Sequence, residues 1–113
     1  MAILVVNEDV EFHLLIKRIF RDDAEVHTAP NVRDATRILN RTKIDVVLLE
    51  VAVRNGWDFL RRWGNRSTPY VVVVTVEGNA VRRRAMEYGA AEVFVQPFVP
   101  SQLRRFVLGL LRR

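Results

Sequence analysis

The chain has 113 residues, half of them hydrophobic and 27% charged, which is the composition of one globular domain with a single core and not of a disordered chain. It has no cysteine, which excludes disulfides and thiolate metal sites, and no apolar run approaches the ~20 residues of a membrane span. The net charge of +5 is uneven: residues 1–70 carry 11 basic and 10 acidic side chains, whereas residues 71–113 carry 7 arginines against 3 glutamates.

Strand and helix signals alternate along the chain. Residues 2–6, AILVV, form an apolar run too short for a helix, and the run ends at Asn7-Glu8-Asp9. Phe12, Leu15, Ile16, Ile19 and Phe20 then fall at helical spacing, with Lys17, Arg18 and Arg21 opposite. Residues 24–29, AEVHTA, read as a weaker, edge-like strand. Asn31, with Asp34 three residues on, is placed to cap a helix carrying Ala35, Ile38 and Leu39. Residues 44–49, IDVVLL, are a second buried strand, ending on Glu50. Gly56 opens a short helix with Phe59, Leu60 and Trp63 inward, closed by Gly64. Residues 70–75, YVVVVT, are the third buried strand, followed by a helix over about 79–88 that Gly89 stops. Residues 92–95, EVFV, make a last strand, and Leu103, Phe106, Val107, Leu110 and Leu111 form the stripe of a final helix.

Five such units in one domain, 1–113, predict an α/β fold: a five-stranded parallel sheet with helices on both faces, since the Val/Ile/Leu-rich strands do not alternate with polar residues. In this architecture a functional crevice lies beyond the carboxyl ends of the strands. The residues there are Asn7, Glu8, Asp9, Glu50, Thr75 and Gln96. Glu50 is the notable one, because a carboxylate at the edge of a core needs a partner. Thr75 and Gln96 are both expected to donate to it. No glycine-rich phosphate loop follows the first strand, so the pattern does not point to a nucleotide.

Taken in order, ILVVNED, DVVLLE, VVVVTVEG and AMEYGAAEVFVQPF resemble the receiver domain of bacterial response regulators, over essentially the whole chain. The resemblance implies a flavodoxin-like fold and phosphoryl transfer from a histidine kinase to an aspartate. In that chemistry an acidic pair holds magnesium, a lysine neutralises the phosphoryl group, a hydroxyl bonds it, and an aromatic residue swings inward. Matched position by position, Asn7 and Glu8 stand at the acidic pair, Glu50 at the phospho-acceptor and Gln96 at the lysine. Val93 stands at the switch aromatic, Thr75 at the hydroxyl, and Pro97 at the proline whose preceding bond is usually cis. Arg54 falls near the usual proline of the loop after the acceptor, and Gly56 arrives two residues sooner than the family spacing. A register in which Glu8 and Asp9 are the acidic pair stays open.

These departures imply a degenerate pseudo-receiver whose magnesium binding is lost or weak, working in the cytoplasm without phosphorylation, cofactor or enzymatic activity. Alternatives are a receiver still phosphorylated by unusual pocket chemistry, and a basic nucleic-acid-associated domain. Arg82, Arg83, Arg84, Arg104 and Arg105 are expected to share one interaction face on the last two helices. An acidic protein partner or output domain suits such a face. DNA is disfavoured because no DNA-reading motif is present and the arginines lack interleaved aromatics. A monomer is favoured over a symmetric dimer, since two such faces repel. Trp63 is expected in the core, and Trp57 either exposed or folded over the short loop. His13 and His27 are read as structural or solvated.

Overall fold

The computed structural model describes residues 1–78 and 80–112. The elements run β1 (Ala2–Val6), α1 (Val10–Ile19), β2 (Glu25–Ala29), α2 (Val32–Arg41), β3 (Val46–Leu49), α3 (Gly56–Trp63), β4 (Tyr70–Thr75), α4 (Ala80–Glu87), β5 (Glu92–Val95) and α5 (Pro100–Leu110). The strands form one sheet in the order β2-β1-β3-β4-β5, every neighbouring pair parallel. This is the (βα)5, flavodoxin-like architecture expected from the alternating signals, with the weak strand β2 at an edge. Asn79, where the helical signal of α4 begins, lies outside the described residues.

The aliphatic strands divide between two cores, because successive strand residues point to opposite faces. Leu4, Val6, Val47, Leu49, Val71 and Val73 pack against Ala35 of α2, Phe59 and Leu60 of α3, and Val81 and Ala85 of α4. Ile3, Val5, Val46, Leu48, Val72 and Val74 pack against Phe12 and Ile16 of α1 and Leu103, Val107 and Leu110 of α5. Both faces of β1, β3 and β4 are thereby covered, which is why these strands carry no polar alternation.

Local signals set the helix ends. The Asn31 side chain accepts the Asp34 amide at 2.8 Å, a cap contributing about 1 kcal/mol. Asp9 caps α1 by accepting the Glu11 amide at 2.9 Å. β3 starts at Val46, two residues later than the apolar pattern; just before it the Asp45 main chain pairs with Ala2 and Tyr70, and its carboxylate accepts the Ala2 amide at 2.8 Å. Leu111 continues the stripe of α5 in sequence but caps its end and is exposed.

The far ends of α3 and α4 meet backbone to backbone. A Cβ added to Gly64 would lie 2.4 Å from the Tyr88 carbonyl oxygen and 2.9 Å from the Gly89 Cα. Gly89 has φ +106°, a conformation that disfavours a side chain, and its carbonyl accepts the Asn65 amide at 3.1 Å. No helix among the described residues is long and apolar enough to cross a membrane.

Candidate functional site

A cavity of about 300 Å³ opens at the carboxyl edge of the sheet, where Asn7, Glu8, Glu50, Val76 and Gln96 converge. Strand pairing brings them together: Val6 is level with Leu49 and Leu49 with Val73, so Asn7 and Glu50 leave β1 and β3 side by side, and β4 runs two residues further, to Thr75, before Val76. Three acids, Glu8, Asp9 and Glu50, line it, and among the described residues no basic side chain does.

Glu50 is 7% exposed and its charge is met by the main chain. Its Oε2 accepts the Ala52 amide at 3.0 Å and its Oε1 accepts the Val76 amide at 3.1 Å. Two N–H donors to a carboxylate are charge-assisted bonds, and they offset the cost of holding the charge at the edge of the core. Donation from Thr75 and Gln96, expected from sequence, is not what is found. The fully buried Thr75 uses its Oγ1 to accept the Glu77 amide at 3.1 Å. Gln96 donates its backbone N–H to the Thr75 carbonyl at 2.8 Å, and its side chain lines the cavity. The signal missed was positional: main-chain amides two residues after Glu50 and one after Thr75 are invisible to a reading of side chains.

Asn7 is engaged in three directions. Its amide donates to the Ala29 carbonyl, its Oδ1 accepts the Asp9 amide at 2.8 Å, and its carbonyl accepts from the buried His13 Nε2 at 2.6 Å. His13 is therefore structural. Glu8 is exposed at the mouth, and Asp9 is occupied as the cap of α1. Val93 is buried within the core, so the position read as a switch aromatic is a filled packing site. The Gln96–Pro97 peptide is cis, and so is Thr68–Pro69. Among the described residues, no group of three or more His, Asp or Glu lies close enough to hold a metal ion.

The five arginines turn in different directions instead of sharing one face. Arg82 turns to β5, pairing with Glu92 and donating to the Val93 carbonyl at 2.8 Å. Arg83 stays on its own helix with Glu87 at 3.4 Å. Arg84 turns to α3 and lies over the Trp57 ring at 4.1 Å. Arg104 reaches the turn after α1, where its Nε and Nη2 donate to the Asp23 carboxylate at 2.8 and 2.9 Å. Arg105 is exposed beside Arg112. Trp57 packs edge-on against Tyr88 of the α4 turn, 5.5 Å between ring centres, and not over the short loop. Trp63 is half-buried against Phe59. The Trp57–Arg61 and Arg84–Tyr88 spacings of four residues were the available signal for this cluster.

Comparison with known proteins agrees with this layout. The family model described as the response regulator receiver domain matches residues 3–108. A probable transcriptional regulatory protein, SilR of Salmonella typhimurium, is 28% identical over 118 residues, covering 100% of this chain and 52% of that protein. A protein-glutamate methylesterase/protein-glutamine glutaminase of Oleidesulfovibrio alaskensis is 30% identical over 110 residues, covering 90% of this chain and 31% of that protein. The chain thus spans about half, or less, of the curated relatives it matches. The crystal structure of a response regulator receiver domain protein from Clostridium thermocellum superposes with a TM-score of 0.87 at 26% identity, over 99% of this chain and 94% of that one. A match over nearly the whole length, on a sheet whose carboxyl edge carries the cavity, settles the assignment: this chain belongs to the response regulator receiver domain family.

Proposed function

We propose that this receiver domain works without phosphorylation, as a cytoplasmic protein-interaction module of bacterial two-component signal transduction. The observation that carries the reading is the state of Glu50, both of whose carboxylate oxygens already accept main-chain N–H bonds, from Ala52 and Val76. Accepting a phosphoryl group requires a free carboxylate oxygen in line with the donor and cations to neutralise the charge that develops. Here the oxygens are tied, and the cavity lining offers no cation. Glutamate is one methylene longer than aspartate, and that length lets a charge carried on the end of β3 reach an amide beyond β4. The side chain thus fills, with its own carboxylate, a two-amide anion site that a phosphoryl group on a shorter acid would occupy.

Magnesium does not suit the donors available. The ion needs closely set, near-octahedral oxygens. Asn7 offers a neutral oxygen already bonded to the Asp9 amide, Asp9 caps α1, and Glu50 is held by amides. Glu8 alone remains, exposed at the mouth. The domain acts as a monomeric partner-binding unit for an acidic protein or output domain.

The test is intact-mass measurement after treatment with acetyl phosphate or phosphoramidate in magnesium buffer. An unchanged mass is expected. A phosphoryl adduct mapped to Glu50 overturns the proposal in favour of a receiver with unusual chemistry.

A further inference from the structure

We propose that Arg61, Tyr88 and Arg84 form a carboxylate-docking site between α3 and α4 for an acidic segment of a protein partner. The inference rests on reading the chain as an interaction module, and not on the state of Glu50.

The starting point is uncompensated charge. Arg82, Arg83 and Arg104 each have a carboxylate partner, whereas among the described residues neither Arg61 nor Arg84 makes an ion pair. These two nevertheless converge on one phenol. Arg61 Nη2 donates to the Tyr88 hydroxyl at 2.6 Å, and its Cζ lies 4.4 Å from the ring centre. The Arg84 Cζ lies 5.3 Å from the same ring and 4.1 Å from the Trp57 ring. Both arginines are exposed. Two like charges gathered on a neutral hydroxyl repel each other, and a bridging carboxylate would neutralise both. The rings cover part of each guanidinium, and beyond the Arg61 Nη2 bond to Tyr88 the exposed arginines retain N–H groups whose planar fork matches a carboxylate. Of the acids nearby, Asp58 faces the other way, into the α2-facing groove of α3, and Glu87 pairs with Arg83.

The same geometry argues against nucleic acid, although it supplies the interleaved aromatics that the sequence did not show. A base needs a free ring face to stack upon. Trp57 and Tyr88 already carry guanidiniums, pack edge-on against each other and lie against the core.

The Arg84 guanidinium beside its hydroxyl, and then the charge of Arg61, hold the Tyr88 phenol below its ordinary range. Neutralising both arginines should release it, which gives a readout that a merely helix-pinning role would not move. The experiment is calorimetry and ultraviolet difference titration of the full chain with a hexaglutamate peptide. Saturable binding is expected, weaker in high salt, with the Tyr88 titration moved to higher pH. Arg61→Gln with Arg84→Gln should weaken binding about tenfold, while Arg105→Gln leaves it unchanged. If the Gln pair fails to fold, Arg61→Lys with Arg84→Lys keeps the charge but not the planar fork and should still weaken binding severalfold. The proposal falls if the peptide does not bind, or if the paired variants bind it as wild type does. It also falls if inorganic phosphate binds as tightly as the peptide, or if a DNA oligonucleotide is preferred. None of these variants touches Glu50, so the phosphoryl-labelling test fails or holds independently.

Discussion

Glu50 and Val76, 26 residues apart in sequence, are joined across the carboxyl edge of the sheet by a 3.1 Å bond from the Val76 amide to the Glu50 Oε1. With the Ala52 amide on the other oxygen, one side chain ties the end of β3 to the loop that follows it and to the segment leading into α4. One wall of the pocket is thus a clamp built from a side chain and two peptide groups.

Glu50→Gln tests the clamp. Glutamine keeps the length but presents one oxygen and one NH2, so one of the two amides meets a donor instead of an acceptor. The expected loss is about 1–3 kcal/mol, the cost of a part-buried N–H left unmatched plus a charge-assisted bond removed. Urea denaturation at neutral pH measures it. A midpoint equal to wild type would mean that the amides do not hold the carboxylate.

The fold was legible because its signals are local. The aliphatic runs of β1, β3 and β4 need cover on both faces, Asn31 and Asp34 announce α2, and Gly56, Gly64 and Gly89 punctuate α3 and α4. The site was legible only as a set of positions. Which oxygen bonds which donor was not, because the Glu50 oxygens take main-chain amides while the Thr75 Oγ1 accepts locally from the Glu77 amide. The arginines illustrate the same limit. Consecutive helical residues are about 100° apart, so Arg82, Arg83 and Arg84 were bound to diverge. Where each one settled depended on Glu92, Glu87 and Trp57, two of which belong to other elements.

Rebuilding a metal site should require several changes together. Glu50→Asp alone shortens the acid without adding a carboxylate or a cation, and it is expected to gain neither magnesium binding nor labelling. Asn7→Asp, Glu50→Asp and Gln96→Lys combined supply the missing acid and the neutralising amine, and they are expected to bind magnesium in the millimolar range or tighter. Calorimetry against magnesium chloride decides it. A folded triple variant that binds none would place the obstacle in the shortened loop before Gly56.

Asp23 supplies a pH test. Its bond with Arg104, then its desolvation and the charge of Arg104 acting in opposite senses, leave its carboxyl below the ordinary aspartate range. A folded-state value lower than the unfolded one stabilises the fold above the unfolded pKa, and that contribution disappears as pH falls through the lowered value. Acid unfolding of wild type should therefore show a component in the low carboxylate range that Asp23→Asn removes. High salt should shrink it, since the pair is partly exposed. Superimposable acid titrations of the two proteins would rule it out.

The glycine contact between α3 and α4 has a mechanical consequence. With Gly64 pressed on the Tyr88 carbonyl and Gly89, the carboxyl end of α4 has no room to shift, so the helix is a lever whose fulcrum lies there. Its eight residues make an arm about 12 Å long. The free end of the arm is its first turn, and that turn follows Val76 and Glu77, the two residues tethered by Glu50 and Thr75. Slack introduced at the pocket would be largest there and smaller at Arg84, one turn nearer the fulcrum.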